Sequence, residues 1–168
     1  SERTYIALVE GRVQEDGTIS SWLTEDKTLT VRSSKNPNHG KKAVTHYKVL
    51  KSNKNSSLLK VNLETGRKNQ IRVHMQELGH PIVGDKKYGS RSNPIRRMGL
   101  HAHVLAFRHP KSGESLRFES EVPSAFMRSF NDSKPRGDAA PDHKREPYHR
   151  LSWSGFLLFL DTEDARAS

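Results

Sequence analysis

The feature that most constrains how this chain folds is a change of hydrophobic period at Gly66. Before it, residues 59–63 alternate between apolar and polar side chains, which is the period of a half-buried β-strand. After it, apolar residues recur from Ile71 at the spacing i, i+4 and i+7, which is typical of one face of a helix of about three turns. Gly79 has the position of a helix C-cap, and Pro81 prevents continuation. The stretch predicts a strand that leads through a tight glycine turn into a helix.

The start of this helix, expected near Lys68, carries Arg67, Asn69 and Arg72. A helix N-terminus presents free N–H groups and the positive end of the helix dipole, and both favour an anion. Two guanidinium groups beside it indicate phosphate or carboxylate as the partner. The alternative is that these arginines only solvate an exposed surface.

The charge balance of the chain favours a polyanionic partner. Among 168 residues, 29 are Lys or Arg and 19 are Asp or Glu, which gives a net charge of +10. Nucleic acid is the first candidate, although a basic protein that is merely soluble has the same balance. Two basic segments that we expect to be loops, at 35–42 and 90–98, place cations where they can contact a phosphate backbone.

Several classes of protein are disfavoured by composition. The chain has no cysteine, so it can form neither a disulfide framework nor a thiolate metal site. No apolar run approaches the roughly 20 residues that span a bilayer, and residues 1–5 lack the apolar stretch of a secretory signal. We therefore expect a soluble, cytoplasmic protein without a membrane contact. His101, His103 and His109 have no accompanying carboxylate cluster, so no metal site is predicted.

The remaining segments predict more strands than helices. Ser124 has the position of an N-cap for a short second helix. Residues 131–147 contain proline, glycine and basic residues and no large apolar side chain. This composition is typical of a linker or a disordered segment. Residues 148–168 are expected to be a tail with one strand, predicted from the apolar run at 156–160. The strands expected before the linker lie at 5–9, 43–50, 58–63, 100–107 and 116–118, with weaker strand signals at 19–23, 29 and 31.

Taken together, these motifs resemble the RluA-type pseudouridine synthases. The opening segment from Arg3 to Gly11 is similar to the strand of that family that carries an active-site tyrosine, and Ala43-x-Thr-x-Tyr-x-Val49 also fits. The match runs in order from residue 2 to about residue 130. Its other motifs are Leu63-x-Thr-Gly-Arg-x-x-Gln-Ile-Arg-x-His74, Gly79-x-Pro-Ile-x-Gly-Asp85, Tyr88-Gly, Leu100-His-Ala and His109-Pro.

The resemblance implies an α+β fold, with a mixed, mainly antiparallel sheet flanked by helices and an RNA-binding cleft across it. Residues 1–130 would be the catalytic domain without its usual N-terminal part. It also implies the reaction: a uridine of ribosomal or transfer RNA leaves its stack, its glycosidic bond breaks, and C5 is joined to the sugar. No cofactor and no metal take part. Extruding the base costs a few kcal/mol, and least where the RNA is already unpaired.

The resemblance also assigns roles to residues. Arg72 would pair with a nucleophilic aspartate and keep it charged. Tyr5 would stack on the target base and assist proton removal from C5, and Leu100 would support the ring. Asn69 stands where the family usually has His. The expected RNA contacts, a set chosen for charge and position, are Arg67, Lys68, Asn69, Lys41, Lys42, Arg96 and Arg97.

The nucleophile is the main departure from the family. Its motif, His-Arg-Leu-Asp-x-x-Thr-Ser-Gly, is expected before the Tyr5 strand and is not found there. The nearest likeness is at 149–159, where Ser152 stands in place of the aspartate. This tail is interpreted either as a permuted segment that supplies the missing strand or as an unrelated segment. Serine is a poor substitute, because its hydroxyl is un-ionised at neutral pH and no base is evident beside it. Of the other carboxylates near motif positions, Asp85 is expected to fix its turn and Asp161 to end a strand.

Three functions therefore remain open from the sequence. The first is a pseudouridine synthase domain. The second is a non-catalytic RNA-binding module that has lost the nucleophile, and the third is a basic scaffold that binds RNA by charge alone.

Overall fold

The computed structural model describes residues 1–131, which form one antiparallel sheet with a helix on each face. The predicted linker beyond its first residue and the tail at 148–168, with Ser152 and Asp161, lie outside the described residues. The strands are β1 (Glu2–Glu10), β2 (Gly17–Glu25), β3 (Val31–Ser34), β4 (Lys41–Ser52), β5 (Ser56–Leu63), β6 (Leu100–Arg108) and β7 (Ser115–Glu119); the helices are α1 (Gln70–Leu78), α2 (Ala125–Asn131) and a 3-10 turn at Lys86–Tyr88.

The sheet has seven strands in the order β3-β2-β4-β5-β1-β6-β7. Every strand pair in the described part of the chain is antiparallel, and β1 lies between β5 and β6. The predicted α+β class with a mainly antiparallel sheet flanked by helices is confirmed. Lys41 and Lys42, which we expected in a loop, instead open strand β4.

Alternation along β1 divides the core into two layers. Ala7 and Val9 belong to a buried cluster that contains Ile71 and Met75 of α1, so their face of the sheet is the α1 face. Full burial of a side chain as large as Val9, Ile71 or Met75 contributes about 1.5–3 kcal/mol. On the opposite face, the ring of His101 makes an edge contact with Phe126 of α2 at 6.4 Å between centroids. The two helices therefore cover different faces.

Helix α1 is confirmed, although it begins later than expected. Asn69 precedes it in the left-handed region with φ 55°, which no helical residue adopts, so the helix starts at Gln70. Gly79 ends it with φ 87°, and its N–H donates to the carbonyl of Gln76 while that of His80 donates to Met75. The predicted glycine C-cap is thus found at its position.

A buried polar network fastens α1 to the sheet. The imidazole of His74 is fully buried between two hydroxyls, with Nε2 at 2.9 Å from Ser21 Oγ and Nδ1 at 2.7 Å from Thr45 Oγ1. Burial lowers the pKa of His74 to about 4, so the ring is neutral at physiological pH. One helical turn is therefore fixed against both β2 and β4.

Candidate functional site

The buried side-chain amide of Gln70 makes four of the hydrogen bonds that hold the loop between β5 and α1. Gln70 Oε1 accepts from Thr65 Oγ1 at 2.8 Å and from the N–H of Arg67 at 3.0 Å. Its Nε2 donates to the carbonyl of Val44 at 3.1 Å and to Thr45 Oγ1 at 2.9 Å. Because all these partners lie on the loop or on β4, the residues around the helix start are held in fixed positions.

Arg72 is the most tightly held cation of this region. Its Nε donates to Asp85 Oδ2 and its Nη2 to Asp85 Oδ1, both at 2.8 Å, and its Nη1 donates to Asn69 Oδ1 at 3.2 Å. The guanidinium carbon lies 4.6 Å from the centre of the Tyr88 ring. The hydrogen bonds to Asp85 raise the pKa of Arg72 and outweigh the opposing effect of burial. The group is a permanent, oriented positive charge.

The carboxylate partner of Arg72 in the described residues is Asp85. We had assigned Asp85 to its turn and had expected Arg72 to face the nucleophile. Asp85 does organise the turn, since its carbonyl accepts from Tyr88 and Ser90, but both of its carboxylate oxygens also bind Arg72. Its side chain is only 1% exposed, so the carboxylate of Asp85 is buried beneath Arg72 and its turn.

Tyr5 and Leu100 share the sheet face that carries α1. Tyr5 follows the alternation of Ala7, and Leu100 pairs with Ala7 across β1 and β6. Both side chains are partly buried and pack against the cluster that contains Ile71. The neighbour of Tyr5 on β6, Ala102, is exposed, so this part of the face is open. The structure thus brings Tyr5 and Leu100 to the same side of the sheet as the helix of Arg72.

Arg3 is a residue of this face that the sequence reading missed. It lies two residues before Tyr5 on β1, and its Nη2 donates to the carbonyl of Glu64 at 3.1 Å. Its Nη1 occupies the space where a side chain at Gly66 would lie. Its buried Nε has no hydrogen-bond partner among residues 1–131. The period-two alternation with Tyr5 was the available signal.

Three of the expected RNA-contacting cations line one groove. Lys41, Arg67 and Lys68 border an open depression with a volume of about 520 Å³ between β2, β3 and the loop before α1. Lys68 Nζ lies 2.9 Å from Glu25 Oε2, and Arg67 Nε donates to the carbonyl of Lys42 at 3.0 Å. The groove therefore combines positive charge with anchored side chains.

The other expected RNA contacts do not line this groove. The ammonium of Lys42 lies 5.7 Å from the ring centre of Trp22. The guanidinium of Arg97 lies 5.2 Å from the ring centre of Phe126, and its Nη2 donates to the carbonyl of Leu100. Arg96 is exposed in the loop between the 3-10 turn and β6. The amide of Asn69 is occupied by contacts within the protein, with Arg72 and Tyr88.

The basic loop at 90–98 is fastened to β1 by one carboxylate. Glu10 Oε1 accepts from Ser90 Oγ at 2.8 Å, from the N–H of Arg91 at 2.9 Å, and from the N–H and Oγ of Ser92 at 3.0 and 2.7 Å. Burial raises the pKa of Glu10, but these hydrogen bonds outweigh it and lower the pKa overall. The sequence carries no local signal for this contact.

Neither a metal cluster nor a membrane helix is found in the part of the chain that is described. Within residues 1–131, no group of three or more His, Cys, Asp or Glu side chains is arranged to hold an ion. His103 Nδ1 lies 2.8 Å from the carbonyl of Ser120, as a strand histidine with a backbone partner. No helix among these residues is long and apolar enough to cross a membrane.

Comparison with known proteins identifies RNA pseudouridine synthases as relatives of this chain. The family model described as RNA pseudouridylate synthase matches residues 1–77. The uncharacterized RNA pseudouridine synthase YlyB of Bacillus subtilis is 39% identical over an alignment of 141 residues, and the match covers 80% of this chain and 45% of that protein. The ribosomal large subunit pseudouridine synthase D of Neisseria meningitidis serogroup A is 39% identical over an alignment of 134 residues, and the match covers 73% of this chain and 36% of that protein. The chain thus spans less than half the length of these relatives.

Solved structures agree with the fold. Human RNA pseudouridylate synthase domain containing 1 superposes with a TM-score of 0.60 at 31% identity, over 71% of this chain and 54% of that one. Human RNA pseudouridylate synthase domain containing 4 gives the same TM-score of 0.60 at 22% identity, over 77% and 61% of the two chains. At that identity the second likeness supports the fold alone.

Proposed function

Because this chain belongs to the RluA-type family of RNA pseudouridine synthases, we propose that it isomerises uridine to pseudouridine in RNA. The observation that carries the proposal is the placement of the clamped Arg72 on a helix that packs against the sheet face of Tyr5 and Leu100. A fixed cation on this helix, with an aromatic ring and an apolar side chain on the sheet face that the helix covers, suits a flipped, stacked base beside an anion.

The proposed substrate is ribosomal RNA, with transfer RNA as the second class. The name of the Neisseria meningitidis relative specifies the large ribosomal subunit, and the groove of Lys41, Arg67 and Lys68 suits a phosphate backbone. Such a substrate would place the protein in the cytoplasm, as expected from the sequence. The reaction breaks the N1–C1′ glycosidic bond and the C5–H bond and forms the C5–C1′ and N1–H bonds within the same nucleotide. One proton is lost from C5 and one is gained at N1, so the reaction consumes no co-reactant.

The nucleophile of this proposal is not among residues 1–131. The aspartates in that range are Asp16, Asp26 and Asp85, and each is engaged. Asp16 Oδ1 accepts from the N–H of Val49 at 2.8 Å, Asp26 organises its own turn, and Asp85 binds Arg72. The alternative function, an RNA-binding module without catalysis, is favoured by Ser152 at the expected aspartate position.

The test is direct detection of pseudouridine. The full chain is incubated with transcribed large-subunit ribosomal RNA or transfer RNA, and the product is located by carbodiimide labelling and primer extension. We expect modification at a discrete uridine. Saturable binding without product would establish the non-catalytic module, and binding that follows charge alone would support the scaffold.

Arg72→Ala separates chemistry from binding. We expect this variant to lose turnover and to keep most of its RNA affinity, which the groove cations supply. The matched control is Arg32→Ala, which removes an exposed arginine from an ion pair with Asp26. Normal turnover in Arg72→Ala, with the fold verified by its melting curve, would remove Arg72 from the mechanism.

A further inference from the structure

Asn69 connects Arg72, the cation of the candidate site, to the buried Tyr88. We propose that Asn69 is a positioning residue that fixes the guanidinium plane of Arg72. Its Oδ1 accepts from Arg72 Nη1 at 3.2 Å, and its Nδ2 donates to Tyr88 Oη at 3.3 Å. One amide therefore links the cation to a phenol.

The phenol of Tyr88 is itself held in a fixed position. Tyr88 is 1% exposed, and its Oη also accepts from the N–H of Val31 at 3.0 Å. Asn69 thus ties Arg72 to a buried side chain whose position is set by strand β3. Without this link, the guanidinium would be hydrogen-bonded to Asp85 through Nε and Nη2, and Nη1 would lose its acceptor on Asn69.

The three contacts of Arg72 together define its plane. Asp85 binds the Nε and Nη2 edge, Asn69 binds Nη1, and the ring of Tyr88 lies 4.6 Å from the guanidinium carbon. Of the five N–H donors of an arginine, these hydrogen bonds within the described residues use three. One donor is left on each terminal nitrogen, which is sufficient for a bidentate contact with an anion.

The backbone explains why a short amide suits this position. Asn69 has φ 55° and ψ 21°, a left-handed conformation in which Asn is enriched several-fold and from which most L-residues are excluded. The family usually has His here. An amide keeps its acceptor at every pH, whereas a protonated imidazole has only donors and would repel Arg72.

Substitutions at Asn69 can distinguish the effect of its side chain from the effect of its backbone conformation. Asn69→Gly deletes the amide and keeps the left-handed turn unstrained. Asn69→Asp keeps an acceptor for Arg72. Asn69→His can offer Arg72 an acceptor only while the ring is neutral. The charged or titratable groups around this position are Arg72, Asp85, Tyr88 and Lys87.

The first readout is nitrogen NMR of the Arg72 guanidinium in the full chain. We expect resolved, slowly rotating Nη resonances in the wild type and in Asn69→Asp, and averaged resonances in Asn69→Gly. We expect Asn69→His to behave like the wild type at pH 8 and like Asn69→Gly at pH 5.5. Resolved resonances in Asn69→Gly, or no effect of pH in Asn69→His, would overturn the inference.

The second readout, which rests on the proposed function, is pseudouridine formation. We expect Asn69→Gly to lower kcat about ten- to hundredfold with little change in KM, and Asn69→Asp to restore most of it. An unchanged kcat in a wild-type-like Asn69→Gly would also overturn the positioning role. If the wild type forms no pseudouridine, the proposed function fails while the NMR measurement still decides the role of Asn69.

Discussion

Arg72 and Asp85 form a bidentate ion pair across 13 residues of sequence, with both oxygen contacts at 2.8 Å. The carboxylate is 1% exposed and the guanidinium side chain is 21% exposed, so the pair is nearly buried on the acidic side and accessible on the basic side. This asymmetry leaves the positive charge partly exposed to solvent, while the negative charge that neutralises it is buried.

Replacing Arg72 and replacing Asp85 are expected to lower the free energy of unfolding by different amounts. Arg72→Met leaves a buried carboxylate without compensation and should cost about 3–5 kcal/mol, whereas Asp85→Asn leaves a partly exposed cation and should cost less. The free energy of unfolding in urea at pH 7 measures both. The matched control is Glu119→Gln, an exposed partner of Arg117, which should cost less than about 1 kcal/mol. Equal values for Asp85→Asn and Glu119→Gln would contradict the role of the pair.

The groove cations are expected to set the salt dependence of RNA binding. Replacing Lys41 or Arg67 by Gln should weaken binding to all RNA sequences alike and reduce the slope of log K against log salt by about one. Titrations at several salt concentrations measure the slope. Arg97→Gln is the comparison, because that guanidinium packs on Phe126, and it should alter the slope less. An equal change in all three variants would mean that the groove has no special role.

His74 is expected to make the protein acid-sensitive. Its pKa is near 4 in the folded state because of burial, against an ordinary value near 6.5 when unfolded. The unfolded chain therefore takes up the proton first, and stability is lost as pH falls from about 6.5 towards 4, by about 3 kcal/mol in all. Urea midpoints measured between pH 7 and pH 4 should show this loss in the wild type, and a weaker dependence in His74→Gln. The exposed His46→Gln is the control, and an unchanged profile in His74→Gln would exclude this origin.

Gly66 is expected to tolerate a side chain only when Arg3 is shortened. A Cβ at position 66 would lie against Arg3 Nη1, so Gly66→Val should displace the guanidinium from the carbonyl of Glu64. We expect a lower melting temperature for Gly66→Val and partial recovery in the double variant Arg3→Ala/Gly66→Val. Thermal melting measures both. If Arg3→Ala does not raise the melting temperature of the Gly66→Val variant, then the backbone of the turn, and not the contact with Arg3, requires glycine.

Glu10 is expected to hold the basic loop in place. Glu10→Ala removes the acceptor of four hydrogen bonds and should loosen residues 90–98 without unfolding the sheet. Limited trypsin digestion, read by mass spectrometry, should show faster cleavage after Arg91, Arg96 and Arg97. Glu15→Ala, an exposed substitution nearby in sequence, is the control. Equal cleavage in the two variants would leave the loop independent of Glu10.

The local architecture was predictable from the sequence. The change of period at Gly66, the C-cap at Gly79 and the apolar run at residues 5–9 each depend on side chains a few positions apart, and the corresponding strands, turn and helix are found. The start of α1 was missed by about two residues because Asn69 adopts a left-handed conformation that no periodicity reveals.

The partners of the site residues were not predictable in the same way. Arg72 and Asp85 are 13 positions apart, His74 and Ser21 are 53 apart, and Glu10 reaches Ser90 across 80. Such pairs depend on strand register and on which sheet face a helix covers, and many alternatives are compatible with the same pattern.

The sequence by itself determined the succession of strands and helices, the excess of positive charge and the family, because these follow from neighbouring residues and spaced motifs. The tertiary structure alone decided which carboxylate neutralises Arg72, which cations share a groove, and that Asn69 supports a cation within the protein. Those outcomes arise when distant segments are packed together and each buried polar group has to find a partner.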